Sequence, residues 1–173
     1  MKRLCCVLLM ITTLSACAVF PTTRTYFKPM NANNDSELAK SQSCGYHKAK
    51  YDGLTKTLAD TDISIFPHWE EGVLLSATVY LQTADFGHEL TPDNVNMSVN
   101  DGADVLLPMA VSLQHRRATD EGDKESIWYQ VEFNIPVDEI DTMRFNYVDK
   151  QGAAEFEFKK VKQSDIYYAS INC

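Results

Sequence analysis

Four histidines, His47, His68, His88 and His115, are the side chains of this sequence best suited to move a proton or hold a metal near neutral pH. Two of them stand beside carboxylates: His68 just precedes Glu70 and Glu71, and His88 lies between Asp85 and Glu89. Imidazole with carboxylate suits zinc or copper. A site of His68, Glu70, Glu71, Asp85, His88 and Glu89 would form if the two loops met at one end of the fold. The spacing does not demand it. "GHEL" is not a zinc-hydrolase HExxH, because Pro92 stands where the second histidine belongs. Exposed loop residues are therefore the expectation, with His68, His88 and Glu89 as the residual metal candidates, and no cofactor is called for.

A second pairing, Cys44 and His47 in "SCGYHK", has the residue types of a thiolate nucleophile and its base. Three residues of separation guarantee no geometry. "FPHWEEG" carries Trp69 in a polar loop, where a ring either stacks on a sugar, anchors a protein partner, or folds back over the end of the domain. "HRRATDEGDKE" sets His115, Arg116 and Arg117 against Asp120, Glu121, Asp123 and Glu125. Its acidic half lacks the EF-hand order and reads as a solvated hairpin loop. Its arginines suit a carboxylate or phosphate on a partner. There is no nucleophile elbow or phosphate loop, so catalysis is the less favoured reading. A hydrolase with a composite site stands behind a binding module.

The elements that must position these residues have period two. Ile63 and Ile65, then Leu75, Ala77, Val79 and Leu81, alternate with polar neighbours. Val95, Met97 and Val99 repeat the pattern. Val105, Leu107, Met109, Val111 and Leu113 share one face, and Pro108 on the other face marks an edge or a bulge. Ile127 to Ile135, Met143 to Tyr147, Phe156 with Phe158, and Ile166 to Ile171 complete about eight strands. Asn100-Asp101-Gly102 and Asp149 to Gly152 are turn sequences. One apolar and one wet face per strand points to antiparallel sheets. The fold class is all-β, an antiparallel β-sandwich, Ig-like or transthyretin-like. "YHKAKYDGLTKTLAD", Tyr46 to Asp60, is open between a short helix and a strand with a loop.

The chain start has its own pattern. Met1, Lys2 and Arg3 are followed by a short, diluted apolar run to Leu14 and then by small residues. That layout is a secretory signal peptide, and it is too short for a span of about 20 apolar residues. The quartet Leu14-Ser15-Ala16-Cys17 resembles the lipobox of bacterial lipoproteins at all four positions. The resemblance implies cleavage before Cys17, a diacylglycerol on its thiol and, usually, an acylated amine. Two or more acyl chains hold a protein stably to a bilayer where one does not. Ala18 in place of aspartate implies the outer membrane in a Gram-negative host. An ordinary cleaved signal or an uncleaved anchor is the plainer alternative.

With that resemblance the organisation becomes 1–16 signal peptide, 17–43 lipid-anchored flexible tether, and 44–173 a single β-sandwich domain. The signal removes Cys5 and Cys6, and Cys17 carries lipid, which leaves Cys44 and Cys173 as a pair in an oxidising compartment. Their disulfide would close a loop of more than 100 residues, worth about 4–5 kcal/mol in the chain-entropy picture. The signal takes two basic residues and no acid, so the formal charge moves from −8 to about −10. Nucleic acid, bound through lysine and arginine, is excluded as a partner. The expected function is an envelope lipoprotein that presents its sandwich to another envelope protein through Trp69, Arg116 and Arg117. A metal- or carbohydrate-binding module is the alternative.

Overall fold

The computed structural model describes the backbone of residues 17–30, 35–40, 46–48 and 51–170, and side chains at 23–30, 35–40 and 51–164. No α-helix occurs among the described residues. Among the described residues eleven strands form two antiparallel sheets: β1 (Cys17–Pro29), β2 (Ser36–Ala39), β3 (Tyr46–Lys48), β4 (Gly53–Leu58), β5 (Thr61–His68), β6 (Leu74–Thr83), β7 (Val95–Val99), β8 (Ala110–Ala118), β9 (Glu125–Pro136), β10 (Thr142–Asp149) and β11 (Gly152–Ser170). One sheet runs β1-β11-β10-β7, with β3 also pairing β11. The other runs β2-β4-β5-β6-β9-β8.

The chain divides into two compact units, the larger made of Thr25–Ser41 and Tyr51–Lys162. In the smaller unit, β3 pairs with Tyr167 to Ala169 of β11, and the Thr23 and Ser164 hydroxyls meet at 3.3 Å.

The larger unit is the sandwich. Its pairings β5-β6-β9-β8 and β7-β10-β11 reproduce the ABED and CFG sheets of a constant-type immunoglobulin domain, with β2 and β4 added beyond β5 and β1 added beyond β11. The period-two residues do what their spacing predicts. Ile63, Ile65, Leu75, Ala77, Val79, Leu81, Val95, Met97, Ile127, Tyr129, Val131, Phe133, Met143, Phe145, Tyr147, Phe156 and Phe158 are all buried in one core. Phe133 of one sheet meets Phe145 of the other edge-to-face, centroids 5.7 Å apart, a favoured aromatic geometry.

Two expectations change, at the tether and at 105–113, and the open reading of Tyr46 to Asp60 falls on the strand side. Part of the expected tether at 17–43 is strand: β1 and β2 lie within it, and Phe27 is fully buried in the core. Its buried aromatics, Tyr26 and Phe27, are adjacent, so they produce no period-two signal. Tyr46 to Asp60 resolves into β3 and β4 rather than a helix. The apolar face of 105–113 is not buried. The strand starts only at Ala110, and Val105, Leu107, Met109 and Leu113 are 61%, 67%, 57% and 52% exposed. β8 is the last strand of a six-stranded sheet facing a narrower one, and it contributes no fully buried residue.

Turn chemistry fixes the register. Asn100 and Asp101 take positive φ of 53° and 54°, a region asparagine and aspartate tolerate. The Asn100 side chain accepts from the amides of Asp141 and Thr142 at 2.7 and 3.2 Å and donates to the Glu139 carbonyl at 2.7 Å. The turn after β7 is thereby pinned to the start of β10.

Candidate functional site

The two loops of the composite metal site do not meet. His68 pairs in register with Ser76 at one end of β5, and its Nε2 lies 2.8 Å from the Thr78 hydroxyl. His88 belongs to the loop after Thr83, which pairs with Thr61 at the other end of that strand. An eight-residue strand separates them by about 23 Å. No cluster of three or more His, Cys, Asp or Glu arranged for a metal occurs among the described residues. Glu89 is exposed beside His88. The disulfide of Cys44 and Cys173 and the Cys44–His47 pairing fall on residues whose side chains lie outside the described set. The same holds for the side chain of Cys17, the first residue of β1.

His88 instead joins a polar network at one end of the sandwich. The Tyr147 hydroxyl donates to Asp149 Oδ2 at 3.0 Å and stands 3.0 Å from His88 Nε2. Its proton is committed to Asp149, so Nε2–H of His88 donates to it. His88 Nδ1 faces Asp85 Oδ2 at 3.7 Å, and Lys150 Nζ reaches the same oxygen at 3.1 Å. The hydrogen bond and charge of Lys150 hold the Asp85 carboxyl below its ordinary value. Burial, with the Asp149 carboxylate next to it, pushes the Tyr147 phenol well above its ordinary value. A neutral, doubly bonded phenol is no base. The network ties the loop before β7 to the turn between β10 and β11. Tyr147 reads in sequence as one more core position. The signal that could have singled it out is that a buried tyrosine hydroxyl needs a partner.

The three residues expected to form the interaction surface are not together. Trp69 packs half-buried against the core, edge-on to Phe27 at 5.6 Å, with Lys160 Nζ 5.4 Å from its ring centre. Arg116 and Arg117 lie at the opposite end of the sheet, since Arg117 pairs through Ser126 and Gln82 to Asp62. Arg116 points inward after the bulge between Leu113 and His115. It donates to the His88 carbonyl at 2.7 Å and to Glu125 Oε2 at 3.4 Å. Arg116 therefore braces the polar network. Arg117 is exposed and lies over the Trp128 ring at 5.4 Å.

The feature with the chemistry of a contact surface is the β8 edge. β8 pairs only with β9 among the described strands. Met109, Val111 and Leu113 project from one face of it, and Val105 and Leu107 precede them. The equivalent edge of the other sheet is blunted: the Leu106 and Met97 amides and carbonyls exchange bonds of 2.7 and 2.9 Å across β7. At the far edge of its own sheet, β2 is only four residues long. Short or covered edges are the usual protections against further pairing. Among the described residues, the first half of β8 has neither. Comparison with protein families, curated proteins and solved structures returns no match.

Proposed function

We propose that this chain is a lipid-anchored envelope protein whose immunoglobulin-like domain binds another envelope protein along the β8 edge, without catalysis. The observation that carries the reading is the coincidence of a strand edge unpaired among the described residues with the exposed row Val105, Leu107, Met109 and Leu113. An open edge offers main-chain hydrogen bonds, and apolar side chains at alternate positions supply selectivity for an added strand. Grouped exposed apolar side chains on a soluble domain mark a partner site. The matching partner is an extended segment with apolar residues toward Met109 and Leu113 and an acidic residue near Arg117. The lipobox quartet ending at Cys17 supports the anchoring half, with the outer membrane as the address in a Gram-negative host.

The test compares wild type, Cys17→Ser and Leu113→Lys by crosslinked co-purification from native envelopes. The reading expects a defined partner with wild type. Cys17→Ser should leave the membrane fraction, and Leu113→Lys should stay in it but lose the partner. A partner retained undiminished by Leu113→Lys contradicts the edge. Wild type and Cys17→Ser fractionating alike contradicts the anchor.

A further inference from the structure

The outer face of the six-stranded sheet carries a groove of about 560 Å³ over β4, β5 and β6, bounded by Asp35 and Glu37 at the start of β2. That size falls in the range of small-molecule sites. Its lining is polar, as befits the outer face of an antiparallel sheet, and has no aliphatic side chain. Thr55, Thr57, Ser64, Asp62, Gln82 and Tyr80 present hydroxyls, a carboxylate, an amide and one ring.

Register explains the arrangement. One cross-strand row runs Glu37, Thr55, Ser64, Tyr80, Trp128, His115 over all six strands. At the usual strand spacing that row is about 24 Å long. Its β2 half is polar and its β8 half is aromatic. Tyr80 packs on Trp128 with ring centres 4.8 Å apart, and Trp128 on His115 at 5.3 Å. The next row, Thr57, Asp62, Gln82, Ser126, Arg117, is polar throughout.

Charge narrows the ligand. Asp35 pairs with Lys56 Nζ at 3.4 Å and Asp62 with Lys124 Nζ at 3.7 Å, so two of the three carboxylates of the groove are already neutralised. Little net charge remains to attract a cation, and the carboxylates repel an anion. The polar groups are held in place: the Thr57 hydroxyl donates to Asp62 at 2.7 Å, Thr55 and Ser64 meet at 2.7 Å, and the Tyr80 and Ser126 hydroxyls at 3.0 Å. Each hydroxyl keeps further bonding capacity. The Gln82 amide makes no side-chain hydrogen bond to a described residue, and so has a donor pair and an acceptor to offer. Preorganised hydroxyl, carboxylate and amide groups beside a ring complement a ligand with many hydroxyls and an apolar C–H face.

We propose that the groove and the Tyr80–Trp128 pair bind an uncharged oligosaccharide laid across the strands. The groove is on the face of the sheet over β4 to β6 and does not depend on the partner reading, although Arg117 of β8, which lies over the Trp128 ring, borders both surfaces.

The test titrates the full chain, purified in detergent, with oligomers of β-1,4-linked glucose, α-1,4-linked glucose and N-acetylglucosamine. Amide and side-chain NMR shifts are read together with tryptophan fluorescence. The expected result is saturable binding to at least one oligomer, with the largest shifts at Ser64, Tyr80, Gln82 and Trp128. Tyr80→Ala and Gln82→Ala should each weaken it about tenfold, a difference of about 1.4 kcal/mol. Leu113→Lys should leave it unchanged. Gln82→Ala decides the matter if Tyr80→Ala folds poorly. The proposal is overturned if none of the three oligomers shifts these residues, if the shifts map elsewhere, or if Gln82→Ala binds as wild type does. Spermine or a sulfated glycan binding at the groove in place of all three would overturn it too.

Discussion

Replacing Tyr147 by phenylalanine removes one oxygen from a ring that is wholly buried. The change deletes the 3.0 Å donation to Asp149 and the 3.0 Å acceptance from His88. A hydrogen bond to a charged group contributes about 1.5–3 kcal/mol and a neutral one about 1. Part of that loss is recovered. Asp149 Oδ1 keeps the amides of Gln151 and Gly152 at 2.7 and 3.2 Å, and the His88 side chain, 11% exposed, gains some water. A destabilisation of about 2 kcal/mol is expected at pH 7, or about 4–8 °C in Tm for a domain of this size. The pH dependence is the sharper part. The folded phenol ionises well above its ordinary value of 10, whereas the unfolded one ionises near it. The contribution of Tyr147 is therefore complete below pH 10 and declines as pH rises beyond it. The gap between wild type and Tyr147→Phe should narrow by about 1.4 kcal/mol per pH unit above pH 10. Urea unfolding of both proteins at pH 7, 9, 10 and 11 measures it. A gap that stays constant to pH 11, or equal stability at pH 7, would refute the assignment of the buried phenol and its two bonds.

Three further substitutions test the scaffold. Phe145→Ala opens a cavity where the two sheets meet and should cost about 3–5 kcal/mol by denaturant unfolding. A Cβ at Gly53 would sit 2.2 Å from the Phe66 ring, so Gly53→Ala should destabilise the protein, and Phe66→Ala in the same chain should cancel most of the added cost. Asn100→Ala removes three side-chain hydrogen bonds at a residue with φ of 53°, and should cost about 2–3 kcal/mol, whereas Asn100→Asp, which keeps both acceptor bonds and tolerates that φ, should lose less.

The core was legible because alternation with period two assigns side chains to faces, and the central strands β5, β6, β9 and β10 followed it at their apolar positions. Ile63 to Leu81, Ile127 to Phe133 and Met143 to Phe158 are examples. The same pattern at Val105 to Leu113 pointed to a buried face that β8 does not have. Alternation says which side of a strand is apolar, not whether an opposing sheet lies beneath it. That depends on how many strands each sheet recruits. β1 and β2 were hidden because their burial rests on few residues, chiefly Tyr26 and Phe27, and β4 stayed one of two open readings because only Gly53 and Leu54 of it are buried. The site was less legible than the fold. His88 and Tyr147 are 59 residues apart, and the hairpin between β10 and β11 that presents Asp149 and Lys150 is what joins them to Asp85. Arg116 and Arg117 were read together as a partner contact because adjacent residues in sequence carry no mark of which one turns inward. The bulge after Leu113 turns Arg116 inward and leaves Arg117 outside.

The most direct test of the central claim is photo-crosslinking in native envelopes from single positions on the wider sheet. A crosslinker replaces Leu113 on the β8 edge in one strain and Leu38, 44% exposed on the opposite β2 edge, in another. The account predicts one discrete protein adduct from position 113, abolished when Met109 is also changed to lysine, and none from position 38. No adduct at 113, or the same adduct from both edges, would contradict it.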